Sequence, residues 1–206
     1  LQARRRKNDE YWAFDSTSIS SYSEVLEQVK RGKNKDSDPL PQINLGLLFG
    51  EESGLPFYYR KFPGNVPDVK TVFQLLKEAR ILGIDTMSLV FHRGSCSYEN
   101  INSLFTDHRK FVTGANTSLA MISEMIAGTR DSIRSFENYD ENHRVYRLSE
   151  TRTWDYERKR PYKGDVLKED RRIYVHLYFS LERAVEDESA FDDRMATLRK
   201  ELLSGR

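Results

Sequence analysis

Thr86-Met87-Ser88-Leu89-Val90-Phe91-His92-Arg93-Gly94 is a compact apolar run that ends in a histidine, an arginine and a glycine. Framed by Gly83 and Gly94, it is short for a helix and reads as an interior strand. Just upstream, Val69, Val72, Phe73, Leu75, Leu76, Ala79 and Leu82 recur at helical spacing. Pro67-Asp68 suits the entry of that helix, and Gly83 suits its end. Farther upstream, Tyr11-Trp12-Ala13-Phe14 reads as a buried strand that stops at Asp15 and a hydroxyl-rich loop over 16–21. Residues 43–49 and 55–62 read as an antiparallel hairpin around the turn at 50–54, closed by Pro63-Gly64-Asn65. Downstream, the pattern predicts a helix over 97–105, a strand over 110–113 and a helix over 119–136.

Three strands, helix, strand, helix, strand, helix is the element order of the RNase H-like α/β fold, a mixed sheet flanked by helices. Beyond residue 136 the pattern changes. Residues 144–156 and 171–180 alternate as strands do, joined by a charged turn around Arg158-Lys159-Arg160-Pro161-Tyr162-Lys163-Gly164, and 181–203 reads as one amphipathic helix with Ala184, Phe191, Met195, Leu198 and Leu202 on its apolar side. The expected organisation is therefore a core over 1–136 and an inserted β-hairpin with its following helix over 137–206.

Composition narrows the function classes. The 206 residues carry 33 basic and 32 acidic side chains, so the net charge of +1 identifies no partner and the distribution of charge matters more. Mean hydropathy is −0.70, and no apolar run approaches the roughly 18 residues a membrane helix needs. Cys96, the single cysteine, has no partner for an internal disulfide, and no signal peptide opens the sequence, which points to a reducing cytoplasmic compartment. A start at Leu1 without Met, and a stop at Arg206 just after a helix, read as an excerpt of a longer chain.

In this strand order the first and fourth strands are neighbours, so Asp15 and His92 are expected at one rim of the sheet. Two-metal phosphoryl chemistry uses hard oxygen ligands around cations about 3.5–4 Å apart, and Asp15 is of that type. Asp15 read alone equally suits an Asx-type turn. Imidazole is a softer donor, poor for Mg²⁺, and a histidine after an apolar strand also suits a hydrogen-bonded structural role. Cys96, close to His92, forms a nucleophilic pair only with a third orienting group, and a buried inert thiol is the other reading.

Phe14-Asp15-Ser16-Thr17, the hairpin ending in Gly64-Asn65 with Asp68, and Val90-Phe91-His92-Arg93-Gly94 followed by Ser97, Asn100-Ile101 and Leu104 resemble the catalytic core of DDE-type insertion-sequence transposases, family four and its relatives. The resemblance spans essentially the whole chain. It implies cut-and-paste DNA transposition: Mg²⁺-dependent (or Mn²⁺-dependent) hydrolysis at transposon ends, followed by attack of the freed 3′-hydroxyl on target DNA. It implies double-stranded DNA as partner, a homodimer in a synaptic complex, no membrane, and a prokaryotic, nucleoid-associated location. By that resemblance Asp15 is the first catalytic acid and metal ligand, whereas His92 occupies the position of the second acid. The third acid belongs to a Tyr-x-x-Arg-x-x-x-Glu pattern, which does not occur in the sequence and is expected beyond Arg206. With one acid present, one replaced and one missing, the chain alone is expected to be inactive. The alternative is a degenerate remnant acting only as a DNA-binding or interaction module.

For DNA contact, residues 144–172 hold ten Arg and Lys against six Asp and Glu, with Trp154, Tyr156 and Tyr162 interleaved. Arg93 beside the site, and Arg152, Trp154, Arg158, Lys159, Arg160 and Lys163 on the hairpin, are the expected DNA-binding residues, the cations for phosphates and the aromatics for stacking. The same hairpin also fits a solvated element whose aromatics pack on one face. The run Arg4-Arg5-Arg6-Lys7 is a further basic segment of the same kind.

Overall fold

The computed structural model describes residues 10–32, 40–81, 88–159 and 164–204. Backbone contacts divide the chain into two compact units, Leu1–Leu119 with Tyr156–Glu169, and Ala120–Asp155 with Asp170–Arg206. Leu82, Gly83, Thr86, Met87, Arg160, Pro161, Tyr162, Lys163 and the Arg4–Lys7 run lie outside the described residues.

The first unit is built on β1 (Tyr11–Ser20), β2 (Gln42–Gly50), β3 (Pro56–Pro63), α1 (Asp68–Ile81), β4 (Ser88–Phe91), α2 (Tyr98–Thr106) and β5 (Lys110–Thr113). The sheet order is β3-β2-β1-β4-β5. The first three strands are antiparallel, and β4 and β5 run parallel to β1. This is the RNase H-like arrangement that the element order predicts.

Side-chain alternation explains which face carries the core. Trp12 and Phe14 on β1, Leu48 on β2, and Leu89 and Phe91 on β4 are buried in one cluster with Val72, Leu75 and Leu76 of α1 and Leu104 of α2. The register aligns them across the strands, Trp12 with Leu89 and Phe14 with both Leu48 and Phe91. Gly46 gives this layer room, because a β-carbon there would lie 3.0 Å from the rings of both Phe14 and Phe62. Along the same face β2 starts with polar residues. Gln42 and Asn44 are buried, and their side-chain amides donate to the Gly64 carbonyl at 3.1 and 3.3 Å, while Asn44 also donates to the Val66 carbonyl at 2.9 Å. These bonds hold the Gly64-Asn65 turn in place at the entry of α1. Glu78 of α1 ties the helix back to β3 through the Tyr58 hydroxyl and Arg60.

In β1 and in the third helix the element boundaries differ from the sequence expectation. β1 does not stop at Asp15 but continues to Ser20, because β2 is long enough to pair it throughout, Thr17 with Leu45 and Ser20 with Gln42. Hydroxyl residues satisfy a strand as readily as a loop once a partner backbone is present. The helix expected over 119–136 is α3 (Ala120–Thr129), which ends far earlier. Gly128-Thr129 and the hydroxyl and acidic residues behind them favour local backbone bonds over helix. Ser132 and Ile133 donate to the Thr129 carbonyl, and the Asn138 amide donates to the Ser132 and Ile133 carbonyls.

The hairpin strands are longer than expected. The three-stranded sheet has the order β6-β7-β8, with β6 (Tyr139–Asp140), β7 (Val145–Lys159) and β8 (Val166–Phe179), before α4 (Leu181–Leu203). The two-residue β6 has no periodicity of its own to betray it.

Leu89 has no solvent exposure, and Leu89→Ala is expected to lower the unfolding free energy by about 2–5 kcal/mol, read from denaturant unfolding. Asn44→Ala removes the Asn44 donor from the Val66 carbonyl and leaves the buried Gly64 carbonyl with Gln42 alone, and is expected to cost about 1–3 kcal/mol in the same measurement.

Candidate functional site at the edge of strands one and four

The last residue of β1 that pairs with β4 is Phe14, opposite Phe91. Both aromatic side chains point into the core, with ring centroids 6.3 Å apart. The period-two alternation of strands then turns Asp15 and His92, the next residue on each, to the opposite face. There the Asp15 carboxylate (Oδ1) lies 3.6 Å from His92 Nε2. The structure thus brings the two leading site residues together, at the place where β1 loses one neighbour rather than where it ends. Asp15 Oδ1 accepts from the Ser16 amide at 2.7 Å. An Asx-type turn would bond two residues on, and here the strand continues, so Asp15 caps no loop. Its side chain is 65% exposed. Thr17 is exposed as Asp15 is, whereas Ser16 is buried and turned from solvent.

His92 has a second task. Its Nδ1 accepts the Gly94 amide at 2.9 Å, capping the 3₁₀ turn Arg93–Ser95. In a neutral imidazole an accepting Nδ1 leaves the proton on Nε2, and that N–H faces Asp15. In this state Nε2 has no lone pair to offer a cation, and a protonated ring would add positive charge beside the carboxylate. Among the described residues no group of three or more His, Cys, Asp or Glu is placed to hold a metal ion. The residues present do not fit a Mg²⁺ site, since one carboxylate faces an imidazole N–H where oxygen ligands are required.

Residues not singled out for the site hold the rim in place. Ser97 caps α2 by accepting the Asn100 amide at 3.2 Å. The buried Asn100 side chain donates to the Val69 and Ser95 carbonyls, both at 2.8 Å, locking α1 to the turn after His92. Gly114 donates its amide to the Phe91 carbonyl at 3.1 Å, and a β-carbon there would lie 2.9 Å from the Arg93 backbone nitrogen. Of this scaffold, Ser97 and Asn100-Ile101 stand among the residues that carry the sequence resemblance, whereas Gly114 does not. Cys96 is buried; burial pushes its thiol up, and hydrogen bonding with the Asn116 backbone and the Thr113 side chain only partly offsets this. It is therefore an inert thiol rather than a nucleophile.

The expected DNA-binding residues separate into two groups. Arg93, Arg158 and Lys159 are exposed. Arg152 lies on the more buried side of β7 and pairs with Glu150 at 2.5 Å, so part of its charge is already met. Trp154 is 6% exposed and Tyr156 2%, which leaves neither ring face open to a base. Tyr156 packs instead against Phe105 and shares a hydrogen bond with Thr106 at 2.8 Å. Alternation along β7 puts both aromatics on one packed face, the second of the two readings that the sequence allows for this hairpin.

The fold is similar to that of the Mos1 transposase in a paired-end complex with the left transposon end, at 12% identity over 62% of this chain and 44% of that one, with a TM-score of 0.37. It is similar to a pre-cleavage Mos1 transpososome at 13% identity, 61% and 44% coverage and a TM-score of 0.36. A third likeness is to Ciona intestinalis Endonuclease V with a 23mer DNA containing an inosine, at 9% identity, 86% and 74% coverage and a TM-score of 0.32. The chain thus spans 44% of the Mos1 transposase chains that it matches. No curated protein sequence matches it. A family model described as the transposase DDE domain matches residues 9–200, nearly the whole sequence, and the chain therefore belongs to the DDE transposase domain family.

Proposed function

We propose that this chain is the core of a DNA transposase of the insertion-sequence type, descended from enzymes that cut transposon ends and join the 3′-hydroxyl to target DNA. The observation that carries this is the placement of Asp15 and His92 3.6 Å apart on adjacent parallel strands, which is where the family resemblance puts the first two acids. Residues 1–136 supply the core in this reading, and 137–206 an inserted hairpin and helix. The partner is double-stranded DNA, reached through Arg93 and through the exposed Arg158 and Lys159, with Arg160 and Lys163 next to them in sequence. A homodimeric synaptic complex and a nucleoid location belong to the same reading. No helix among the described residues is long and apolar enough to cross a membrane.

The chain as it stands binds DNA without cutting it. A divalent cation, when bound between carboxylates, activates an attacking oxygen and stabilises the leaving one. Among the described residues no third His, Cys, Asp or Glu joins Asp15 and His92 at that rim. His92 spends one nitrogen on the Gly94 amide and turns an N–H toward Asp15, and the pattern that carries the third acid is missing from the 206 residues. Removing carboxylates from such a site weakens both cation binding and stabilisation of transition-state charge. The degenerate, binding-only reading is favoured by that same histidine geometry.

Purified chain is expected to show no nicking or strand transfer of transposon-end DNA with Mg²⁺ or Mn²⁺, and turnover would overturn the inactive reading. His92→Asp places a second carboxylate beside Asp15 while keeping an acceptor for the Gly94 amide. It is expected to tighten Mn²⁺ binding by about ten-fold over the parent in titration calorimetry, an effect that Asp15→Asn should abolish. Equal affinity in parent and variant would refute the assignment of the rim. For DNA, affinity should fall steeply with salt, and Arg158→Ala/Lys159→Ala should make the log–log slope shallower by about 2. A flat salt response would exclude phosphate contact by this hairpin.

A further inference from the structure

α4 keeps its apolar side in water. Leu181, Ala184, Glu188, Phe191, Met195, Leu198 and Leu202 follow one another at alternating spacings of three and four, the a and d positions of a heptad pattern, and Glu188 is the one polar residue among them. Phe191 is 61% exposed, Met195 50%, Leu198 42% and Leu202 81%. No residue of the helix is buried. Large apolar side chains lined up on one exposed stripe mark a docking surface.

The charges beside the stripe select its occupant. Before Arg194 the helix carries six carboxylates and one Arg, and from Arg194 onward three cations and one Glu. We propose that the stripe is covered by the same helix of a second copy, running antiparallel. The register follows from the flanking residues. With Phe191 against Leu202 and Met195 against Leu198 of the second copy, the e and g positions bring Asp192 beside Arg199 and Arg194 beside Glu201 across the interface. Two-fold symmetry repeats each pair, so all four contacts are between opposite charges. Glu188 falls beyond the last of these layers, and no carboxylate is buried.

Other arrangements fail on the same residues. A parallel pair sets Asp187 against Asp192 and Arg194 against Arg199, and stacks Glu188 on its own copy in the core. An antiparallel pair shifted by one heptad toward the N-terminus sets Arg194 against Arg194 and Asp192 against Asp192, and drives Glu188 onto Leu198. The inference concerns α4 alone and does not depend on the reading of the Asp15 rim.

Sedimentation equilibrium of the 206-residue chain is expected to show a dimer at micromolar concentration. Asp192→Arg puts like charges together twice and should weaken association by about ten-fold, as should Arg199→Asp, with the far-UV spectrum unchanged. The double variant Asp192→Arg/Arg199→Asp exchanges the two signs and should restore dimerisation. A monomer throughout, as expected if α4 instead covers another protein or segment, would overturn the proposal. So would a dimer that neither charge reversal weakens, or a double variant no tighter than the single ones.

Discussion

The parallel pairing of β1 with β4, registered by Phe14 opposite Phe91, is the constraint on which the rest of the first unit depends. Both rings are buried in the layer formed with Leu48, Leu89 and the α1 residues Val72, Leu75 and Leu76. A slip of one residue would turn Phe14 or Phe91 to the outer face and carry a charged or polar neighbour into the core. Apolar burial of this kind, about 25 cal/mol per Å², therefore sets the position of two groups that are themselves exposed. Asp15 and His92 meet because their neighbours must be dry. The polar bonds around Asn100 and Gly114 then refine the same rim, tying the turn after His92 to α1 on one side and to the end of β5 on the other.

Much of this was legible in the sequence because burial leaves a periodic trace. The alternation of Trp12 and Phe14, the helical spacing of Val72, Leu75 and Leu76, and the short runs ending at Phe91 and Thr113 were enough to order the sheet and to predict that Asp15 and His92 share a rim. What lacked such a trace was lost. The continuation of β1 through Ser16-Thr17-Ser18-Ile19-Ser20 depends on how far β2 extends beside it, a property of another segment. The end of α3 at Thr129 rests on competition between helix and side-chain bonds to the backbone, which apolar spacing does not register. For Trp154 and Tyr156 the sequence allowed both a stacking platform and a packed face, and because residues two apart on a strand share a face, burial of both selects the packed one.

His92 shows how one position can keep its structural duty while changing its chemistry. The turn Arg93–Ser95 needs an acceptor for the Gly94 amide, and aspartate, asparagine and histidine can all provide it. An acid there could cap the turn with one oxygen and leave the other for a cation. Histidine caps with one nitrogen and presents a proton with the other, so under the proposed reading, in which position 92 is that of an acid, the exchange would cost the fold nothing and the rim a negative charge. Such an exchange is invisible to packing, and its effect falls on what the rim can bind.

The charge order of α4 could be laid to the helix dipole, since carboxylates early and cations late stabilise any helix by a few tenths of a kcal/mol or somewhat more each. That explanation accounts for the first and last turns only, because the effect fades beyond them. It does not reach Asp192, Arg194 and Arg199, which lie in the interior of the helix on either side of the exposed Phe191, Met195 and Leu198. Nor does it explain why Phe191, Met195, Leu198 and Leu202 follow one another at alternating spacings of four and three, with Val185 and Leu203 the exposed large apolar residues off that line. Both features follow from a single requirement, that the helix be complementary to its own reverse.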